Sequence, residues 1–232
     1  FIAAEPGLKP HAFGLRDILR SAPHALGEEG ERLLAASGNP LGQPQNVYTI
    51  LANGEMPFPS VTLSDGKTVK LSDSLYELYR QSRNRDDRKK VFDAFWSTYK
   101  TYEGTFGANL QAQLMGQAFD AKARRFKSDL AAELFGDNMP EGVVRTLISE
   151  VNRELPTFQR YLKLRARMLG LKDQAYYDVY APLTSVSNTY SVDDSKRITL
   201  AALAPLGETY LGILRQGFAA RWMNVYPHDG KR

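Results

Sequence analysis

The chain has no cysteine among its 232 residues. Disulfides and thiolate metal sites are thereby excluded, although this alone does not decide the compartment. Histidine is scarce as well. Only His11, His24 and His228 occur, no two stand four residues apart, and there is no H-E-x-x-H. No metal site and no catalytic residue is assigned to this chain, since zinc needs three or four converging ligands. The G-x-S-x-G, P-loop and G-x-G-x-x-G patterns are missing too. With them go the usual signals for a nucleophile elbow or a phosphate cradle. No apolar run approaches the roughly 20 residues that a membrane span requires, so no membrane partner is expected. Neither sign of charge dominates. Thirty Lys and Arg face 26 Asp and Glu, a net charge of +4, which is weak ground for a nucleic-acid partner, and none is assigned. No signal peptide is visible. The start at Phe1 rather than Met, and the end at Lys231-Arg232, read as processing or truncation. The expected compartment is the cytoplasm.

What is present is a chain able to bury a sizeable core. Hydrophobic residues make up 43% and aromatics 11%, unlike a disordered composition. The dominant pattern lies in residues 140–183. Val144, Leu147, Ile148, Val151, Leu155, Phe158, Leu162 and Leu169 recur at steps of mostly three and four, which draws one apolar stripe down a helix. Asn138 is placed to cap this helix, Pro140 to start it and Gly170 to end it in a left-handed conformation. Pro156 lies inside the pattern and is expected to kink or split the rod, because it removes a donor and clashes with the preceding turn.

Elsewhere the order of elements is as follows. Residues 1–13 read as an extended lead-in. Leu15, Ile18 and Leu19 mark a short helix stopped by Pro23. Leu26, Leu33 and Leu34 mark another, with Glu28, Glu29 and Glu31 at its positive end and a stop at Ser37-Gly38-Asn39-Pro40. Residues 43–52 fit a helix or a strand, and helix is preferred. The β signal is FPSVTLSDGKTVKLS, where Asp65-Gly66 separates two alternating runs and predicts a hairpin with positive φ at both turn residues. Asn84 caps a stripe of Phe92, Phe95, Tyr99, Tyr102, Phe106, Leu110 and Leu114, read as one long helix or two coaxial ones. Ser191 opens a further helix, which Pro205 breaks or kinks. The fold class is mainly α, a multi-helix array with one small β-hairpin. Residues 1–232 read as a single helical region. A subdivision near residue 72 is the alternative, with short helices and the hairpin in 1–71 and long helices in 72–232.

Candidate sites are few, and each has a plain structural explanation. Lys122, Arg124, Arg125 and Lys127 around Phe126 suit a phosphate contact or a solvated helix end. Tyr176, Tyr177, Tyr180 and Tyr190 suit a peptide groove or ordinary packing of a loop on helices. Glu28, Glu29 and Glu31 need only a helix N-terminus. The residues alone leave a helical body, with a non-enzymatic module binding nucleic acid or protein as one function.

The stretch MPEGVVRTLISEVNRELPTFQRYLKLRARMLGL followed by YYDVYAPL resembles the oligoendopeptidase F family of thimet-oligopeptidase-like zinc peptidases. HALGEEGERLLA, the Asp-Gly hairpin, the R-x-x-D-R-K-K-V-F helix opening, SDLAAELFGDNMP and the final PLGETYLGILRQGFAARWMNVYPHDGKR follow the same order. Together they cover most of residues 20–232. The resemblance implies a larger helical peptidase fold, zinc as cofactor, short peptides as substrates and metal-assisted hydrolysis. Zinc would lower the pKa of a bound water, and a glutamate would take its proton. It also implies that the zinc helix lies beyond the Tyr226-to-Arg232 run, where this chain stops. No ligand or catalytic residue is carried over, and the substrate-binding residues stay unassigned. The chain's partner would be the remaining C-terminal catalytic portion of the same protein, and its own role the walls of the substrate cavity.

Overall fold

The computed structural model describes residues 5–184 and 188–226. Helices dominate, in the order α1 (Ala12–Ser21), α2 (Glu28–Leu41), α3 (Gln43–Ile50), α4 (Asp73–Tyr79), α5 (Arg85–Thr101), α6 (Glu103–Ala123), α7 (Asp129–Phe135), α8 (Glu141–Met168), α9 (Val192–Ala202) and α10 (Glu208–Ala219). The strands β1 (Ser60–Thr62) and β2 (Thr68–Lys70) form a two-stranded antiparallel sheet. The mainly helical fold with one hairpin is as the sequence predicts. Two compact units are present, Phe1–Pro59 with Ala94–Leu164, and Ser60–Asp93 with Arg165–Arg232.

The first unit is built on α1–α3, α6, α7 and the greater part of α8. Where an extended lead-in is expected, Pro6–His11 forms a 3-10 turn running directly into α1. Pro6 and Pro10 carry φ values already close to helical, so these prolines favour a turn. Helix α1 ends ahead of Pro23, as predicted. The predicted stop at residues 37–40 does not occur, because α2 runs through Pro40 to Leu41. Pro40 removes only one bond near the end of the helix, and two residues on the Gly42 N–H still donates to the Gly38 carbonyl at 3.0 Å. Residues 43–50 are helical and continue as a π-type turn, Leu51–Glu55, which removes the strand alternative. The long aromatic stripe is two helices, interrupted at Tyr102. Pro156 does not split α8, which is a helix from Glu141 to Met168. Pro156 cannot donate to the Asn152 carbonyl, but the bonds on either side carry the helix across one missing link.

In the second unit the hairpin pairs Ser60 with Lys70, Val61 with Val69 and Thr62 with Thr68. Val61, Leu63, Val69 and Leu71 are buried on one face, the alternation that a half-covered sheet demands. The turn differs from the one predicted. Gly66 N–H donates to the Leu63 carbonyl at 3.0 Å, Leu63 N–H donates to the Lys67 carbonyl at 2.9 Å, and only Gly66 has a positive φ, 83°. This is a three-residue loop, a type I turn closed by a left-handed glycine. Asp65 stays on the ordinary side of φ and accepts the Lys67 N–H at 2.9 Å. Ser72 caps α4, Asn84 caps α5 by accepting the Asp86 and Asp87 N–H groups, and Ser191 and Asp194 form a reciprocal capping box on α9. Pro205 breaks the chain into α9 and α10, as predicted, in a 3-10 turn with Gly207 at φ 87°.

Four helices end in the same way. Behind α6, α7, α8 and α10, Arg125, Asn138, Gly170 and Arg221 take positive φ. The following residues Phe126, Met139, Leu171 and Trp222 donate back to Ala121, Leu134, Ala166 and Gly217, the six-to-one bond of the Schellman motif. Gly170 fulfils its predicted role. Asn138 does not cap α8. It closes α7 instead, because asparagine tolerates the left-handed region and the chain must reverse there.

Candidate functional site

The first unit carries a groove of about 740 Å³ between α3, α5 and α6. Asn109 Nδ2 donates to the Pro44 carbonyl at 2.8 Å and ties α6 to the start of α3. The groove walls are aromatic. Tyr48 meets the edge of Phe106 at 5.9 Å, Phe106 stacks on Tyr99 at 5.5 Å, and Tyr99 lies 5.4 Å from Trp96. Behind them Phe58 stacks on Phe95 at 4.7 Å. Phe95 is buried, but Tyr48, Trp96 and Leu110 remain exposed at 43%, 42% and 60%. The rings therefore support one another from behind and present an apolar front. At the rim Lys100 and Glu103 are paired with each other, so the groove carries no uncompensated formal charge.

The second unit is organised on a buried carboxylate. Asp178 is fully buried and accepts from Arg88 Nη2 at 2.7 Å, Arg85 Nη2 at 2.9 Å and the Ala175 N–H at 3.0 Å. Arg88 is also buried and donates to the carbonyls of Ser82 and Tyr177. Burial pushes the Asp178 carboxyl up, but the hydrogen bonds from Arg85, Ala175 and Arg88 outweigh it and hold the group below the usual aspartate range. The hydrogen bond to Asp178 raises Arg85 in turn. In the same turn of α5, the Asp87 carboxylate accepts the Ser64 N–H at 2.8 Å and its Oγ–H at 2.7 Å. The first turn of α5 thus holds the hairpin loop with one acid and the YYDVY segment with two arginines. Every polar group here is spent on protein partners, and the cluster acts as a strut.

The residues singled out from sequence fall as follows. Arg124 pairs with Glu31 at 3.1 Å and Asp120 at 3.3 Å, and Lys127 with Glu141 at 2.9 Å. Phe126 stacks on His24 at 3.8 Å, and the His24 ring donates from Nδ1 to the Arg124 carbonyl at 2.8 Å. Arg124 and Lys127 are thus paired with neighbouring acids behind α6, while Lys122 and Arg125 are exposed. Glu31 accepts the Leu26 N–H and the Arg124 guanidinium, and these bonds keep its carboxyl below the usual range. Tyr177 faces Phe92 at 5.9 Å and Tyr180 lies under Arg80 at 3.9 Å. Tyr190 instead lines a pocket of about 380 Å³ with Phe218 and Arg221. His228 and the rest of the run after Tyr226 lie outside the described residues. Among the described residues no group of three or more His, Asp or Glu could hold a metal ion, and no helix is long and apolar enough to cross a membrane. The groove was not foreseen. Phe95, Tyr99, Phe106 and Leu110 read as one core stripe, and the available signal was its unusual aromatic density beside Gly104 and Gly107.

The family model described as Oligopeptidase F matches residues 1–58, and that described as Peptidase family M3 matches residues 78–232. Among curated relatives, Oligopeptidase PepF of Bacillus subtilis is 34% identical over 100% of this chain and 35% of its own length. Group B oligopeptidase PepB of Streptococcus agalactiae is 33% identical over 100% of this chain and 39% of its own length. The crystal structure of oligoendopeptidase-F from Enterococcus faecium superposes with a TM-score of 0.74 at 31% identity, covering 93% of this chain and 40% of that one. The chain thus spans well under half the length of the relatives it matches.

Proposed function

The chain belongs to peptidase family M3, in its oligoendopeptidase F group, and on that premise we propose that it is the leading helical part of a zinc-dependent endopeptidase that hydrolyses short peptides. In this reading it forms walls of the substrate cavity and does not carry the catalytic site. The observation that supports it most is the match of the whole chain to only 35% and 39% of two oligopeptidases. The open apolar stripe of α8 agrees with it. Leu147, Ile148, Val151 and Phe158 are exposed at 61%, 57%, 54% and 54%, along a helix about 42 Å long. A stripe of that size on a folded protein is a seat for another surface, here the remaining portion of the same protein.

Zinc itself finds no fit in the described residues, whose His, Asp and Glu side chains do not converge. Its ligands and the chemistry it supplies belong to the remaining portion. What this chain's side chains do is bind, orient and keep bulk water from a peptide, the contributions that geometry alone makes to rate. The test is paired. Metal content and cleavage of a short quenched peptide are measured for residues 1–232 and for the full coding product. The expected result is stoichiometric zinc and chelator-sensitive cleavage in the full product only. Chelator-sensitive cleavage by residues 1–232 overturns the division of labour. A full product without zinc or cleavage overturns the peptidase reading.

A further inference from the structure

We propose that the first turn of α5 is a relay, which couples the hairpin loop to the YYDVY segment so that the two open and close together. A continuous chain of hydrogen bonds joins these parts of the second unit. Asp178 accepts from Arg88 Nη2 at 2.7 Å. The other arm of the same guanidinium, Nη1, donates to the Ser82 carbonyl at 2.8 Å and the Arg83 carbonyl at 3.2 Å. The next residue, Asn84, donates from Nδ2 to Ser64 Oγ at 2.9 Å. The Ser64 hydroxyl donates in turn to Asp87 Oδ2 at 2.7 Å, and Asp87 directly precedes Arg88. The circuit therefore closes beside the arginine from which it starts.

Three properties let this network transmit a change as well as hold a shape. A guanidinium is planar and its donors form a fixed fork, so the two arms of Arg88 cannot reorient separately. Asp87, Arg88 and Asp178 are all buried. A half-released state leaves one of these groups without its partner, which is costly, so such states are sparsely populated. The Ser64 hydroxyl fills both of its roles, as donor to Asp87 and acceptor from Asn84. Asn84 also caps α5 through the Asp86 N–H at 2.9 Å, so disturbing Ser64 disturbs the cap that positions Arg88. At the far end the YYDVY segment has only a 3-10 turn of its own, Tyr176–Asp178. Both ends face solvent, the hairpin with Thr62 and Thr68 and the segment with Tyr176 and Tyr180. A contact made on either surface is felt at the other, and coupling of this kind is reciprocal.

Hydrogen exchange of single amides of the chain, followed by nuclear magnetic resonance, tests the relay, because exchange reports local opening. Ser64→Ala removes the hydroxyl at one end. The readout lies at the other end, on the Ala175 and Val179 N–H groups, which donate to Asp178 Oδ2 at 3.0 Å and to the Tyr176 carbonyl at 3.1 Å. These amides should exchange about fivefold faster, the scale of one lost hydrogen bond, while the amides of α10 keep the parent rate. Asp178→Asn runs the experiment in reverse. The Leu63 and Gly66 N–H groups, which close the hairpin loop, should then exchange faster by on the order of tenfold or more. Far-ultraviolet circular dichroism confirms that each variant is folded, and Ser64→Ala decides alone if Asp178→Asn does not fold. The relay is overturned if Ser64→Ala speeds the hairpin amides only, or if a folded Asp178→Asn leaves Leu63 and Gly66 at the parent rate. It is equally overturned if the α10 amides speed up as much as Ala175 and Val179, since the change is then a general loosening. Neither readout involves peptide cleavage, so the outcome stands apart from the peptidase reading.

Discussion

Asp178 shows how much a single side chain carries. Its carboxylate is buried and answered by two guanidinium groups and one backbone amide. Removing the charge leaves Arg88, itself buried, without its counterion. Asp178→Asn should cost about 3 kcal/mol, the scale for breaking a buried pair from one side, read from the urea midpoint by circular dichroism. A loss below about 0.5 kcal/mol would place the pair among ordinary surface ion pairs. The sign of its pH dependence follows from the depressed carboxyl. The unfolded chain takes up the proton first, near the usual value of 3.8, so the stabilisation is complete above that value and is lost as pH falls through the lower folded one. Asp178→Asn should therefore show a shallower loss of stability in acid than the parent. Arg125 makes the opposite case. It is exposed and holds φ at 62°, where a side chain costs roughly 1 kcal/mol. Arg125→Gly should raise the urea midpoint, and a lowered midpoint would show that the arginine side chain matters more than its backbone. Asp178 carries no mark in the sequence, and Arg125 stands there only as a member of the basic cluster. A buried aspartate between tyrosines looks like a loop residue until its partners, some 90 positions earlier, are known.

At the scale of elements the sequence was read well where the signal is local. Caps at Asn84 and Ser191, the left-handed Gly170 and the break at Pro205 depend on residues a few positions apart, and all are found. Where the structure departs from the sequence pattern, proline and glycine are involved. Pro40 deletes one bond near the end of α2 without stopping it, and Pro156 deletes one inside α8 without splitting it. Asp65-Gly66 does make the hairpin, but through one left-handed residue in a three-residue loop. Asn138 shows the same limit, since a capping residue between two helices can serve either one. A test follows for α8. Pro156→Ala restores the N–H to the Asn152 carbonyl and relieves the ring clash, worth up to about 3 kcal/mol of local helix stability. Hydrogen exchange of the amides after residue 152 should slow in the variant. Unchanged exchange would mean that neighbouring bonds already compensate in full.

For the whole molecule, the helical class and the family order were legible because they rest on periodicity and on motifs spread along the chain. The groove was not, because a stripe of apolar residues looks alike whether it faces a core or open space. What lies across it is decided by distant segments such as α3. The same holds for α8, whose stripe predicts a buried helix and is found exposed. An open stripe should drive association. Sedimentation velocity should show concentration-dependent self-association of the chain, reduced in an Ile148→Lys, Val151→Lys variant. A monomeric parent at every concentration would mean that the stripe is not sticky enough to be a seat. The central claim, that this chain is a cavity wall completed by the rest of its protein, is tested most directly by reconstitution. Residues 1–232 are mixed with the separately produced remaining portion, and hydrolysis of a short quenched peptide is followed. The account predicts chelator-sensitive cleavage in the mixture, far above the sum of the two parts alone. Cleavage at the same rate by the remaining portion without this chain would contradict it.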